Sequence, residues 1–184
     1  MKAVGIFCGA HAGRDGVYRA LAGEIADVLT QAGCAVVYGG GRVGLMGSIA
    51  DAMLERGGEV IGVIPGALAT AEVAHSGVTQ LHVVQSMHER KALMADLSDG
   101  FIALPGGFGT MDEFHEIVTW RQLGIHDKPI GLLNPDGFYD LLLAQYDRML
   151  AEGFLSQTSR ALFCSAPAIR ELVAMMEKQH DERP

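Results

Sequence analysis

The sequence has few cysteines, no long apolar run and no excess of basic residues. Cys8, Cys34 and Cys164 are an odd number, lie far apart and form no C-x-x-C pair. We therefore expect neither disulfides nor a zinc site, and a reducing, cytoplasmic location. No stretch approaches the roughly 18 apolar residues of a membrane span. The net charge of −8 disfavours nucleic acid as a main partner, although backbone amides can still hold a small anion.

The length and composition favour one globular domain. The chain has 184 residues, of which 49% are hydrophobic and 20% charged, as in ordinary folded proteins. We expect a single domain over residues 1–180 and a frayed polar tail at 181–184. Glycine is the abundant residue, because 24 glycines make up about 13% of the chain against roughly 7% on average.

Short apolar runs alternate with helical patterns along the whole chain. Such runs are typical of strands buried on both faces of a parallel sheet. The predicted strands are Ala3–Cys8, Ala35–Tyr38, Val60–Ile64, Leu81–Val84, Phe101–Leu104 and Ile130–Leu133. The predicted helices are Val17–Gln31, Leu45–Arg56, Ser86–Leu97, Thr110–Leu123, Phe138–Ala151 and one from about Ala168 to Lys178. The order predicts a Rossmann-like α/β fold, a doubly wound parallel sheet with helices on both faces. The segment Ala67–Gly77 has weak periodicity and is either a loop or a short helix.

Three glycine clusters follow predicted strands, at the edge where ligands bind in open parallel sheets. They are Gly9–Gly13, Gly39–Gly47 and Pro105–Thr110. Each leads into a helix, whose first N–H groups attract anions. Tight strand-to-helix turns alone would also require glycine. The second cluster formally matches G-x-G-x-x-G, but the acidic residue about 20 positions on, Glu59, begins a strand instead of ending one, which disfavours an NAD site.

Charged residues of both signs flank the third glycine cluster. Arg90 and Lys91 lie just after the fourth predicted strand, and Asp112, Glu113 and Glu116 lie in the first turns of the helix after Pro105–Thr110. These residues could be a solvated helix face or dipole-favoured acids. A carboxylate beside an anion cradle is chemically useful if positive charge develops there.

The runs Met87–Lys91 and Pro105–Glu113, which read M-H-E-R-K and P-G-G-F-G-T-M-D-E, together resemble the LOG (Lonely Guy) family. Further stretches along nearly the whole chain are similar to that family, including Phe7–Gly9 and Trp120–His126. LOG enzymes are cytokinin riboside 5′-monophosphate phosphoribohydrolases, once mislabelled lysine decarboxylases. The paired motif is far more specific than any single glycine loop.

The resemblance implies a hydrolase that cleaves the N-glycosidic bond of an adenosine 5′-monophosphate, such as AMP or N6-isopentenyl-AMP. The products are the free base and ribose 5-phosphate. We expect no metal or cofactor, and we expect a homodimer or a larger assembly. The resemblance makes Arg90 and Glu113 the catalytic pair. It implies a substrate-binding set of Gly40, Gly41, Glu72, Met87, Arg90, Lys91, Gly107, Phe108, Gly109, Thr110, Met111, Asp112, Glu113 and Thr119.

One departure from the family pattern concerns the first glycine cluster. The family commonly has two serines where this chain has Ala10 and His11, which bears on substrate preference. An alternative function is a non-catalytic nucleotide or molybdenum-cofactor carrier of the same superfamily. A carrier could use the glycine loops, but it would not need Arg90 and Glu113 together.

Overall fold

In the computed structural model, which describes residues 1–14, 16–69 and 73–181, strands and helices alternate as predicted. The strands are β1 (Ala3–Phe7), β2 (Ala35–Tyr38), β3 (Val60–Pro65), β4 (Gln80–Val84), β5 (Gly100–Ala103), β6 (Ile130–Leu133) and β7 (Cys164–Ala166). The helices are α1 (Val17–Gln31), α2 (Gly44–Glu55), α3 (Met87–Leu97), α4 (Phe108–Gln122), α5 (Asp140–Ala151), α6 (Gln157–Arg160) and α7 (Ile169–Asp181). Two short 3₁₀ turns, Gly66–Leu68 and Pro135–Gly137, complete these elements.

The strands of the described chain form one parallel sheet in the order β4-β3-β2-β1-β5-β6-β7. From β1 the chain first builds one half of the sheet and then returns to build the other. The strand order therefore reverses between β1 and β5. Such a reversal is where doubly wound folds open a ligand crevice. The predicted fold class is confirmed.

Apolar helix faces cover the sheet on both sides. Residues of α1, α2 and α7 pack on one face, and residues of α3, α4 and α5 pack on the other. Phe7 and Phe101, from the two central strands, stack with ring centroids 5.8 Å apart. This burial on both faces explains why most of the strands carry unbroken apolar runs.

The fourth strand is the exception among the predicted strands. It pairs with β3 alone among the described strands, and Gln80, Leu81 and Val83 are exposed. The expectation that this run is buried on both faces is wrong, because β4 is an edge strand. Strand β7 and helix α6 were not predicted. With three and four residues, they are too short to show a hydrophobic period.

The capping signal before α3 is confirmed. Ser86 Oγ accepts a hydrogen bond from the Glu89 amide at 3.1 Å, and Glu89 Oε2 accepts one from the Gln85 amide at 2.8 Å. Glu89 accepts from the residue before the N-cap and not from the Ser86 amide of a standard capping box. The two bonds still fix where the helix begins, and with it the direction in which Arg90 leaves the first turn. Helix α7 continues to Asp181, and the last three residues of the predicted tail lie outside the described residues.

Candidate active site

A cavity of about 610 Å³ opens where the strand order reverses. Its walls come from the loops after β1 and β5, from the starts of α2 and α4, and from Arg90 of α3. Gly9 and Gly106 bring the two loops together, because the Gly9 amide donates to the Pro105 carbonyl at 3.2 Å. A Cβ on Gly106 would overlap the side chain of Thr110 and approach the Gly9 nitrogen to 2.9 Å.

The start of α4 forms the anion cradle that the sequence predicts. Gly107 is the N-cap residue of α4, and the first residues of the helix line the cavity. The unpaired N–H groups of this first turn form the positive end of the helix dipole. A Cβ on Gly107 or Gly109 would meet no atom within 4 Å, so a ligand has room to reach these amides. The Thr110 hydroxyl is buried and has no hydrogen-bond partner within the part of the chain that the structure describes. The cradle thus presents backbone donors to the cavity, with the Thr110 hydroxyl buried beside them.

Arg90 and Glu113 form a buried ion pair at the wall of this cavity. Arg90 Nη1 lies 2.7 Å from Glu113 Oε1, and the two side chains are 13% and 10% exposed. The guanidinium is held from behind, because its Nε donates to the Val63 carbonyl at 3.1 Å and its Nη1 contacts Met87 Sδ at 3.3 Å. A Cβ on Gly39 would overlap the guanidinium, so any other residue there would displace Arg90 from this position.

The environment of Glu113 pulls its pKa in two directions. Burial raises the pKa above the ordinary value of a glutamate, whereas the charge and hydrogen bond of Arg90 lower it, and the net shift is upward. Arg90 therefore opposes the protonation that burial favours. Cys8 lines the same cavity, but burial raises the pKa of its thiol, which remains protonated and is a poor nucleophile.

An apolar and aromatic wall completes the cavity. Tyr18 of α1 and Phe138, which follows β6, meet edge to face with centroids 6.3 Å apart, and Met46 of α2 also lines the space. Tyr18 and Phe138 are not among the site residues predicted from the sequence. Neither belongs to a motif, and only the topology brings the start of α1 next to the loop after β6.

Comparisons with known proteins identify the family. The family model described as "Possible lysine decarboxylase" matches residues 46–176. A relative in Oryza sativa subsp. japonica, probable cytokinin riboside 5′-monophosphate phosphoribohydrolase LOGL1, is 51% identical over 94% of this chain and 78% of its own length. Cytokinin riboside 5′-monophosphate phosphoribohydrolase LOG1 of Arabidopsis thaliana is 48% identical over 96% of this chain and 83% of its own length. The chain belongs to the LOG family.

Solved structures with lower identity share the fold of this LOG family member. The molybdenum cofactor binding protein of Rippkaea orientalis has a TM-score of 0.72 at 19% identity, covering 96% of each chain. The molybdenum cofactor carrier protein of Chlamydomonas reinhardtii has a TM-score of 0.73 at 20% identity, covering 98% of this chain and 99% of its own. At this level of identity the likeness supports the Rossmann-like fold alone.

Only some of the LOG-family site residues predicted from the sequence line the cavity. Arg90, Glu113 and the cradle residues Gly107–Thr110 line the cavity. Lys91, Asp112 and Thr119 lie outside its lining, and Met87, Met111, Gly40 and Gly41 stand behind or beside the lining residues. Glu72 lies outside the described residues. No group of three or more His, Cys, Asp or Glu residues that could hold a metal occurs among residues 1–14, 16–69 and 73–181.

Lys91 is engaged by carboxylates rather than directed into the cavity. Its Nζ lies 3.2 Å from Asp112 Oδ2 and 3.1 Å from Glu116 Oε2, and its side chain is 12% exposed. Desolvation lowers the pKa of Lys91, but the two carboxylates raise it and the net shift is upward. A lysine that forms a Schiff base needs a lowered pKa, so this environment does not suit decarboxylase chemistry at Lys91.

A second hollow, on the outer face of α4, holds Thr119. Phe108, Met111, Glu116 and Trp120 line it with Thr119. Phe108 borders both this hollow and the main cavity and is 97% exposed. Glu113 lines the main cavity and Thr119 lines this hollow, so the two lie on different faces of α4, as their separation of six residues on a helix requires.

The two opposing effects on Glu113 generate a prediction that needs no substrate. In Arg90→Met the lowering effect is lost while the carboxyl stays buried, so the pKa of Glu113 rises further. Lys91→Met removes a weaker and more distant cation and is expected to raise the pKa less. Carboxyl carbon NMR titration, with Glu113→Gln for assignment, measures both shifts. An unchanged or lowered pKa of Glu113 in Arg90→Met contradicts the role given to Arg90.

Proposed function

We propose that this chain hydrolyses the N-glycosidic bond of adenosine 5′-monophosphates, with or without an N6 substituent, to release the free base and ribose 5-phosphate. The observation that carries the proposal is the buried Arg90–Glu113 pair, 2.7 Å apart, beside an anion cradle. Relatives with about half of their residues identical to this chain are named as phosphoribohydrolases of cytokinin riboside 5′-monophosphates.

The cradle at the start of α4 suits the 5′-phosphate. Its amides belong to Gly107–Thr110, at the start of a helix whose first N–H groups attract phosphate. The buried Thr110 hydroxyl, which has no hydrogen-bond partner among the described residues, lies next to these amides. This arrangement uses hydrogen bonds and the helix dipole instead of a cluster of cations, in keeping with the acidic chain. Anchoring the phosphate there would leave the ribose within reach of Glu113, which lies in the second turn of α4.

Cleavage of a ribosyl bond passes through a state with positive charge on the sugar ring. A carboxylate at Glu113 would stabilise that charge, and its burial strengthens the interaction because little water screens it. The same oxygen atoms could grip a ribose hydroxyl, activate water or attack the sugar carbon. Stabilising the positive charge, activating water and attacking the sugar carbon all require the ionised form of Glu113.

Arg90 would maintain that ionised form. Burial alone favours a protonated Glu113, and the guanidinium opposes it. Because Arg90 is itself fixed by the Val63 carbonyl, it holds the carboxylate in one position. Its remaining donors could assist departure of the base. The balanced reaction adds one water: its oxygen bonds to the sugar carbon that loses the base, and its proton replaces the sugar on the base.

The wall formed by Tyr18, Phe138 and Met46 suits a planar base or an apolar N6 substituent. His11 and Ala10 border the same space, at the positions where serines are common in the family. Fewer hydroxyls on this wall favour apolar over polar contacts with the substrate. Both AMP and N6-isopentenyl-AMP are therefore the substrates to compare.

The carrier alternative has weaker support. Proteins named as molybdenum cofactor carriers share the fold at 19% and 20% identity, whereas relatives named as phosphoribohydrolases share about half of the residues. A carrier also has no need for a buried carboxylate beside its anion site. Tight nucleotide binding without release of base would favour it.

The first functional prediction concerns Glu113→Gln, which keeps the shape of the side chain and removes its charge. Release of base from AMP and from N6-isopentenyl-AMP is expected to fall at least about 100-fold. Chromatography of the free base, with parallel detection of ribose 5-phosphate, measures the rate. Glu152→Gln makes the same change on a half-exposed side chain after α5 and should leave the rate unchanged. Full activity of Glu113→Gln overturns the proposal.

The second functional prediction concerns pH. Because the pKa of Glu113 is raised and its ionised form is required, kcat/KM is expected to fall on the acid side with a midpoint above 4.5, the ordinary glutamate value. The substrate phosphate also titrates in acid. A 5′-phosphorothioate nucleotide shifts that ionisation but leaves Glu113 unchanged, so the midpoint should stay in place. A midpoint at or below 4.5 contradicts the proposed state of Glu113.

We also propose that the chain forms a homodimer or a larger assembly, as the family resemblance implies. Support comes from Phe108, which is 97% exposed at the rim of the cavity, and from the neighbouring hollow on α4. Large apolar side chains left in water favour association. Sedimentation velocity is expected to show a species of at least twice 19.6 kDa, and a monomer at micromolar concentration would contradict this.

A further inference from the structure

The short segment Val73–Gly77, here termed the clasp, runs beside the glycine loop that precedes α2. The Arg42 amide donates to the Val73 carbonyl at 2.8 Å, and the His75 amide donates to the Gly40 carbonyl at 2.9 Å. Gly41 and Ala74 form an isolated antiparallel bridge. The clasp thus supports the glycine loop through backbone hydrogen bonds.

The imidazole of His75 is fixed at both ring nitrogens. Its Nδ1 accepts a hydrogen bond from the Gly77 amide at 3.1 Å, and its Nε2 lies 3.0 Å from Asp51 Oδ1 on α2. An amide nitrogen can only donate, so Nδ1 carries no proton and Nε2 donates to Asp51. The His75 side chain is 11% exposed. The ring therefore ties the clasp to α2 in one orientation.

The glycine loop also lies against Arg90, the proposed catalytic cation. A Cβ on Gly39 would overlap the guanidinium of Arg90, and one on Gly41 would approach Met46 of the cavity wall to 3.3 Å. A run of glycines has no side chains to fix it and can adopt many backbone conformations. The position of this loop, and hence the space left for Arg90, depends on what holds it from outside.

We propose that His75 is a positioning residue for the hydrolysis, which with Asp51 holds the clasp against the glycine loop and so fixes Arg90 beside Glu113. The proposal rests on the proposed function. His75 acts through the loop and not on the substrate, because its ring nitrogens are occupied by Gly77 and Asp51. A small displacement of a catalytic group is enough to cost a large factor in rate.

The test uses substitutions that separate the two hydrogen bonds of the His75 imidazole, to Asp51 and to the Gly77 amide. Glutamine at position 75 can still donate to Asp51, whereas asparagine is too short to do so but can accept from the Gly77 amide. In His75→Ala, kcat with N6-isopentenyl-AMP is expected to fall about 10-fold with KM changed far less. His75→Gln should recover most of the loss and His75→Asn little of it. Asp51→Ala should match His75→Ala, and the double variant should be no worse than either.

The control is Asp27→Ala. It removes the exposed pair in which Arg56, just after α2, lies 2.6 Å from Asp27, and neither residue takes part in the His75–Asp51 contact. It should leave kcat unchanged. Unchanged kcat in His75→Ala, or equal loss in His75→Gln and His75→Ala, overturns the proposal.

A second readout is independent of the reaction. If His75 fixes Arg90, the pKa of Glu113 measured by carboxyl NMR rises in His75→Ala, because the guanidinium moves away from the carboxylate. A purely structural role for His75 lowers the melting temperature but leaves the pKa of Glu113 where it is, which contradicts the proposal. An inactive wild type would overturn the proposed function, and the pKa of Glu113 would still decide the role of His75.

Discussion

The contact between Arg90 and Glu113 is the interaction on which the site depends. An ionised carboxylate is costly to bury, and it persists in this position only because a guanidinium is held 2.7 Å away. The guanidinium in turn needs the Val63 carbonyl at the end of β3 and the free space above Gly39. The end of β3, the glycine loop after β2, helix α3 and the start of α4 must therefore all be in place before this pair can form.

The strand order explains why these elements meet. Strands β2 and β3 lie on one side of β1, and β5 lies on the other, so the end of the sheet gathers the glycine loop, the Val63 carbonyl and the start of α4. Helix α3 places Arg90 across this edge. The same reversal that opens the cavity therefore also brings the cation and the carboxylate to its wall. The fold supplies the crevice, and the pair gives it a chemistry that a nucleotide carrier does not require.

The sequence could predict the fold and the members of the central pair, but not how the pair is held. Apolar runs and glycine-terminated helices are local signals, and α1 begins and ends where they predict. The motif around Arg90 and that around Glu113 are likewise local. The Val63 carbonyl, the Tyr18–Phe138 wall and the His75–Asp51 bond join residues distant in sequence, so only the packed structure places them together. Lys91 illustrates the same limit, because no spacing rule shows that two carboxylates of α4 engage its ammonium group.

The most direct test of this account is a crystal structure of the Glu113→Gln variant with N6-isopentenyl-AMP, since the variant should bind the substrate without consuming it. The account predicts the 5′-phosphate on the amides of Gly107–Thr110, the ribose beside residue 113 and the isopentenyl group against the wall of Tyr18, Phe138 and Met46. A nucleotide bound with its phosphate elsewhere, or with its ribose out of reach of residue 113, would contradict the assignment of Glu113 and Arg90 to the reaction.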